Sequence, residues 1–297
     1  MTYIPNPMPF TGSRLDFMEL DRSPEQVTSY LENPKARALL FVAGRPALNE
    51  DLSPITPHPK TLIGQNLYDP GPLFLGLHDG DPLFAFNLAE DNQAAPAESY
   101  QELRGVASRM TPDHLATIGR ARSFLDWHYN NNFCAKCGQK SIAVYSGLAR
   151  KCPSCETEHY PRVNPVVIMM VTHEDHCLLG AGHNFPDGAY SALAGFISTG
   201  ETPEAAVLRE VKEEVGLDVK NPRYIFSQPW PFPSQLMMGY TCEAKSRELK
   251  INKEELRTAQ WFSKQTVQDV FDKRSDAFLR PPRFTIAHHL LREWLSQ

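Results

Sequence analysis

Apolar residues recur along this chain with two different periods, and the switches between them mark its elements. An unbroken apolar run, Ala38–Ala43, stops at Gly44, so a short buried strand is expected there. Leu73–Leu77 and Leu83–Phe86 flank His78-Asp79-Gly80-Asp81, a turn-forming set that predicts a hairpin. Ala89–Ser99 is polar and alanine-rich and reads as a loop, which makes residues 1–110 a small β-rich domain. The period then changes. Leu115, Ile118, Ala121 and Leu125 recur at helical spacing behind Thr111-Pro112, a capping threonine followed by a proline whose missing N–H costs nothing at a helix start. This connecting helix spans 111–131. Past residue 161 the strand candidates are Val166–Val171, His176–Gly180, Ala192–Ile197, Tyr224–Ser227, Leu236–Ala244 and Ala259–Phe262. Ser263 caps a helix running to about Phe271, and a last helix covers Ile286–Leu295. Strands and helices in this order give an α/β (α+β) chain with a large domain over 161–297.

One helix in that domain carries more than a packing pattern. Val207, Val211 and Val215 repeat at i+4 and face a core, with Leu208 bordering the stripe; Thr202-Pro203 start the helix and Gly216 stops it. Glu210, Glu213 and Glu214 stand at i, i+3 and i+4, so three carboxylates share one face. Like charges so placed repel, and a solvated acidic face is the bland alternative. A divalent cation reverses the sign, because Mg²⁺ takes a few carboxylates together with substrate phosphates. Arg209 lies four residues before Glu213 and can hold it.

Composition adds bounds. The net charge is −5, from 30 basic and 35 acidic residues, which argues against a broad nucleic-acid surface without excluding a local basic groove. No secretory signal is visible in MTYIPNPMPFTGSR and no apolar run is long enough to span a bilayer, so a cytoplasmic protein with no membrane partner is expected. Four of the six cysteines form two C-x-x-C pairs, Cys134/Cys137 and Cys152/Cys155, fourteen residues apart. Without an export signal this favours metal over disulfides. Four thiolates saturate a tetrahedral Zn²⁺ and leave no open position, so the site over 132–160 reads as a structural zinc ribbon. His159 is a conceivable substitute ligand, with a surface histidine the preferred reading. Cys177 and Cys242 read as buried core thiols.

Downstream stands Ser227-Gln228-Pro229-Trp230-Pro231-Phe232-Pro233, a stiff extended segment that cannot be a central strand. Together these motifs carry a resemblance. Gly195 to Leu217, GFISTGETPEAAVLREVKEEVGL, matches the Nudix box, and SQPWPFP behind it, with the four cysteines ahead, resembles the NADH pyrophosphatase (NAD-capped RNA hydrolase) subfamily of Nudix hydrolases. The family usually continues PxS where this chain has Ser234 and Gln235, which leaves its preference among dinucleotides open. The resemblance implies a Nudix α/β/α sandwich fold, a catalytic Mg²⁺ or Mn²⁺, a structural Zn²⁺ and a homodimer. It implies metal binding by Glu210, Glu214, the Ala194 carbonyl and a further carboxylate, Glu255 or its competitor Glu254, with Glu213 and Glu201 completing the acidic set. It further implies a dinucleotide pocket lined by Gln228, Pro229, Trp230, Pro231, Phe232, Pro233, Ser234 and Gln235, and substrate contacts from Tyr160, Phe196 (stacking on a base), Ala287 and Arg104. Ordinary core packing is the alternative for Tyr160 and Phe196.

The activity so implied is hydrolysis of the diphosphate of NADH, NAD⁺ or a related dinucleotide to nicotinamide mononucleotide and AMP, with Glu213 or Glu214 as base. NAD-capped RNA is a rival substrate. A catalytically silent zinc-ribbon/Nudix interaction protein is the rival of another class, and loss of a box glutamate would have favoured it; none is missing.

Overall fold

A computed structural model describes residues 7–19, 22–92 and 94–297. The chain divides into two compact units. One comprises Phe10–Val163 with Trp230–Ser234; the other comprises Asn164–Pro229 and Gln235–Gln297 with the segment ending at Pro9. No helix among the described residues is long and apolar enough to cross a membrane.

The first unit begins with β1 (Leu15–Asp16), α1 (Pro24–Glu32), β2 (Arg37–Val42), β3 (Arg45–Pro46), β4 (Leu73–His78) and β5 (Asp81–Leu88). These make a five-stranded sheet of order β1-β4-β5-β2-β3, in which β2 runs parallel to β5 and the β4–β5 hairpin turns at Asp79-Gly80. Ala38, Leu40, Phe74, Phe84 and Phe86 pack on one face with Val27, Tyr30 and Leu31 of α1. A short α2 (Leu103–Val106) precedes α3 (Pro112–Asn130), whose Thr111 cap accepts from the His114 N–H. All four residues expected to face the core from α3 are buried. The ribbon follows as β6 (Ile142–Val144), β7 (Ala149–Lys151) and β8 (Glu158–His159), three antiparallel strands.

The second unit is built from β9 (Asn164–His173), β10 (His176–Gly182), β11 (Leu193–Phe196), α4 (Pro203–Val215), β12 (Val219–Trp230), β13 (Gln235–Ala244), β14 (Leu256–Ser263), α5 (Lys264–Phe271) and α6 (Ile286–Ser296). Its sheet has the order β12-β13-β9-β10-β14, with β11 paired to β9 and β13 parallel to β9. Alternate residues of β9 face opposite ways. Val167, Met169 and Val171 meet Val207, Val211 and Val215 of α4. Ile168 and Met170 meet Val267 of α5 and Leu290, Leu291 and Trp294 of α6. Helices therefore cover both faces of a mixed sheet. Leu208 does not join the α4 stripe; it is 40% exposed, because its helical position turns it past the edge of the sheet. The proline-rich segment enters from β12, which is the edge of the sheet, as its missing N–H groups require.

The two sheets share a wiring. In each, one hairpin (β2–β3; β9–β10) continues into a parallel partner (β5; β13) flanked by a further strand (β4; β12). They differ in what lies between. The second inserts β11 and α4, whereas the first has only a single 3-10 turn, Pro59–Leu62, between β3 and β4.

Candidate active site

The glycine-glutamate segment folds into strand, loop and helix as its residues dictate. Thr202 Oγ1 caps α4 by accepting from the Ala205 N–H at 3.2 Å. Gly216 ends the helix in the left-handed region, φ 74°, its N–H bonded to the Lys212 carbonyl, a conformation that favours glycine. Gly195 serves for another reason: a Cβ there would lie 1.9 Å from Glu210 Cδ. The strand can sit against the Glu210 carboxylate only because this residue has no side chain.

Arg209 organises the acidic set. Its Nε and Nη2 both donate to Glu201 at 2.8 Å, Nη1 donates to Glu210 at 2.8 Å and to Glu213 at 2.7 Å, and Nη2 also donates to the Phe196 carbonyl at 2.9 Å. All five guanidinium N–H groups are thereby used. Glu201 also accepts from the Ser198 N–H, and these bonds, Arg209 foremost, hold its carboxyl down at about 2. The sequence rule for helix neighbours finds only the Glu213 bond; the partners from the preceding loop are tertiary.

The three box glutamates are not equivalent. Glu213 is exposed and Glu210 half-buried, while Glu214 is only 7% exposed and its Oε2 is buried without a hydrogen-bond partner. Burial first, then the charges of Glu210 and Glu255, push the Glu214 carboxyl up to about 8. Glu210 is likewise raised, chiefly by burial. Glu255 is drawn in by the loop ahead of β14, where the Asn252 N–H bonds the Glu214 carbonyl at 2.8 Å, the Lys250 N–H bonds the Val215 carbonyl at 2.9 Å and the Asn252 amide bonds Glu255 at 3.1 Å. Its charge raises the carboxyls of both Glu210 and Glu214.

A buried carboxylate oxygen with no hydrogen-bond partner, under the charge of two further carboxylates, has the chemistry that suits a hard divalent cation. Among the described residues, however, the only cluster of three or more His, Cys, Asp or Glu donors within 4.8 Å of one another is that of the four cysteines. In the ribbon, Cys134 and Cys155 Sγ are 3.6 Å apart and Cys137 and Cys152 Sγ 3.5 Å. A tetrahedron with Zn–S of ~2.3 Å has an edge of about 3.8 Å, so these thiols fit zinc. His159, read from sequence as a surface residue, is half-buried and brings Nε2 to 3.2 Å from Cys134 Sγ. With four sulfurs present it serves as a partner of a ligand rather than a ligand. Cys177 and Cys242 are buried in strands.

The remaining expected site residues separate into exposed and braced groups. Tyr160 and Phe196 are 56% and 54% exposed, which rules out core packing for both. The Tyr160 hydroxyl donates to Glu158 at 2.6 Å. Gln228 and Ala287 are buried, at 0% and 4% exposure. The Gln228 amide donates to the Pro9 and Phe284 carbonyls and its Oε1 accepts the Ile286 N–H at 2.8 Å. It therefore braces the start of α6, where a pocket-lining side chain was expected. Pro229 and Pro233 are exposed, Pro231 is buried, and Trp230 and Phe232 are half-buried with ring centroids 5.0 Å apart. Ser234 Oγ donates to the Arg162 carbonyl at 3.4 Å, and Gln235 opens β13 opposite Asn164. Arg104, expected at a phosphate, lies over Phe232 at 4.5 Å. Ala194 sits in β11 opposite Ile168.

Three family descriptions match consecutive stretches: the NADH pyrophosphatase-like rudimentary NUDIX domain over 35–127, the NADH pyrophosphatase zinc ribbon domain over 130–160, and the NUDIX domain over 161–281. The NAD-capped RNA hydrolase NudC of Stutzerimonas stutzeri is 36% identical over 223 residues, covering 75% of this chain and 77% of that protein. The chain belongs to the NADH pyrophosphatase-type Nudix family. Within this family it is also similar to the NAD-capped RNA hydrolase NUDT12 of Homo sapiens, 45% identical over 189 residues, 60% of this chain. It spans only 41% of the length of NUDT12. The mitochondrial NAD(P)H pyrophosphatase NUDT13 of Mus musculus is 36% identical over 237 residues, 75% of this chain and 67% of that protein. The first Nudix description explains the shared sheet wiring: the N-terminal unit is itself a Nudix-like domain without the box helix. Strand order, not residue identity, carries the likeness.

Proposed function

We propose that this Nudix protein hydrolyses the diphosphate of NADH, NAD⁺ and NAD-capped RNA, releasing AMP (or 5′-monophosphate RNA) and nicotinamide mononucleotide. The observation that carries the proposal is the buried, unpartnered Glu214 Oε2 beside Glu210 and Glu255, in a chain that also has the Trp230–Pro233 segment. Mg²⁺ or Mn²⁺, held by Glu210, Glu214, Glu255 and the Ala194 carbonyl, would supply charge neutralisation on the phosphate oxygens. The chain's own residues do the rest. Arg209 fixes Glu210 and Glu213 in place. Glu213 is exposed, with Oε2 paired to Arg209, so its Oε1 is the atom that takes the proton of the attacking water. The water oxygen bonds phosphorus as the bond to the bridging oxygen breaks, and the leaving phosphate carries that oxygen away. The exposed Phe196 ring stacks on a planar base and Tyr160, steadied by Glu158, contacts substrate. A structural Zn²⁺ sits on Cys134, Cys137, Cys152 and Cys155. The family resemblance adds a homodimer, which light scattering tests.

Product analysis with NADH, NAD⁺ and NAD-capped RNA, with added Mg²⁺ or Mn²⁺, tests the reading. AMP or 5′-monophosphate RNA is expected from the unmodified protein, and Glu214→Gln should lower kcat on the order of a thousandfold. No cleavage of any of the three substrates would sink it. The NAD-capped RNA reading is favoured by the relatives so named, and a preference for it over NADH would show in kcat/KM.

A further inference from the structure

We propose that α3 is the seat of the Trp230–Pro233 segment and that Arg122 is a positioning residue for substrate binding by that segment. The inference rests on the dinucleotide reading above. Gly119, Arg122 and Ser123 stand at i, i+3 and i+4 and so share one helix face. Each meets a different part of the segment. A Cβ on Gly119 would lie 2.8 Å from Phe10 Cδ1 and 3.3 Å from Pro231 Cγ, so glycine lets both rings lie against the helix. The Arg122 guanidinium donates to the Pro231 carbonyl through Nη1 and to the Gly44 carbonyl through Nε at 3.1 Å. Ser123 Oγ donates to the Pro233 carbonyl at 3.1 Å.

The need for such a seat follows from the segment's composition. Its prolines have no N–H, so they cannot fix the backbone through their own donors, and their carbonyls take donors from elsewhere. The rings are held in the same way. The guanidinium carbons of Arg104 and Arg122 lie 4.5 and 4.9 Å from the Phe232 centroid, and Phe10 meets both Trp230 and Phe232 edge-on at about 6 Å. Cations over a ring face are attracted by its quadrupole. The Nudix-like domain that lacks a box helix thus sets the orientation of the aromatic surfaces while holding none of the box glutamates. Loosening this seat should weaken dinucleotide binding and leave bond cleavage alone.

The test compares the zinc-loaded full chain with Arg122→Met, Arg122→Lys and Ser123→Ala. KM and kcat come from AMP release with NADH and Mg²⁺, Kd for NADH from calorimetry without added Mg²⁺, and melting temperature and zinc content are followed alongside. Arg122→Met is expected to raise KM and Kd about tenfold with kcat kept within about twofold, Ser123→Ala to raise them a few-fold, and Arg122→Lys to recover part of the loss. Should Arg122→Met fail to fold, the lysine and Ser123 variants decide. Folded variants with unchanged KM and Kd overturn the inference, as does a fall in kcat at constant KM. A wild type that binds NADH and releases no AMP sinks the activity reading, while the Kd ratios still decide this one. A wild type that does not bind NADH overturns both.

Discussion

Replacing Gly195 by alanine should separate chemistry from stability. The new Cβ would stand 1.9 Å from Glu210 Cδ and 2.2 Å from each carboxylate oxygen. Non-bonded carbon contacts relax only at about 3.5 Å, so the carboxylate must retreat by roughly 1.5 Å. It can do so cheaply, because it is the free end of a flexible side chain and the β11–β9 pairing is untouched. The main stability loss is the Arg209–Glu210 pair, and a partly exposed ion pair of this kind is worth about 0–1 kcal/mol. Catalysis is less tolerant: a displacement of about 1 Å can cost on the order of a hundredfold, or ~2.7 kcal/mol of barrier. Gly195→Ala is therefore expected to lower kcat/KM for NADH about a hundredfold and weaken Mn²⁺ binding, with a melting temperature within a few degrees of wild type. Stopped-time AMP assays, Mn²⁺ titration and calorimetry read the three quantities. Wild-type kcat/KM in a folded Gly195→Ala protein would refute the placement of Glu210 as a working ligand.

Four other outcomes follow from the same geometry. Gly216→Ala should show the converse signature: it strains a φ of 74° and brings a Cβ to 2.7 Å from that of Lys250, so melting temperature should fall by more than kcat, and a stability unchanged from wild type would contradict it. Gln228→Leu removes the acceptor of the buried Ile286 N–H and the amide donor to two carbonyls; at about 1–3 kcal/mol for the unpaired N–H, a fall on the order of 2–12 °C is expected in a thermal melt, and an unchanged melt would contradict the bracing role. Cys134→Ser should lose stoichiometric zinc and lower the melting temperature more than it changes kcat; zinc lost with no fall in melting temperature would contradict a structural role. His128 is held at about 4, chiefly by burial, with Arg150 also against it. Its folded value lies below the unfolded 6.5, so the unfolded chain binds the proton first and stability falls as pH drops from about 6.5 toward 4, by up to about 3 kcal/mol. His288 adds a loss in the same window; His128→Gln should flatten part of the slope in pH-dependent melts, and an unchanged slope would discount His128.

The parts legible in the sequence are those set by local chemistry. Thr202, Pro203 and Gly216 bound α4 because caps act within a turn, and Val207, Val211 and Val215 pointed inward because a helix repeats every 3.6 residues. The two C-x-x-C pairs specified the ribbon for the same reason. What escaped depends on residues distant in sequence. Gln228 and Ala287 are buried at the start of α6, and nothing near Gln228 in sequence announces Pro9 or Phe284 as partners. Arg209 showed one of its five bonds; of the others, one reaches the adjacent Glu210 and three reach Glu201 and the Phe196 carbonyl, ahead of α4. The Nudix-like order of the first sheet rests on a parallel pair, β2 with β5, whose residues lie more than forty positions apart.

The missing box helix in that first sheet has a consequence for how work is divided in the chain. A Nudix sheet of the second kind commits one face to α4, and α4 commits its exposed side to carboxylates that repel one another and leave Glu214 Oε2 buried and unpaired. Such a helix is poor material for gripping proline-rich backbone, because it offers acceptors where the carbonyls of Pro231 and Pro233 need donors. The first sheet is free of that demand. Its companion α3 packs on β2 and β5, buries Ile118, Ala121 and Leu125, and still presents a glycine, an arginine and a serine on a neighbouring face. One copy of the fold can therefore keep the strained, acidic chemistry while the other supplies the donors and cations that hold the aromatic segment.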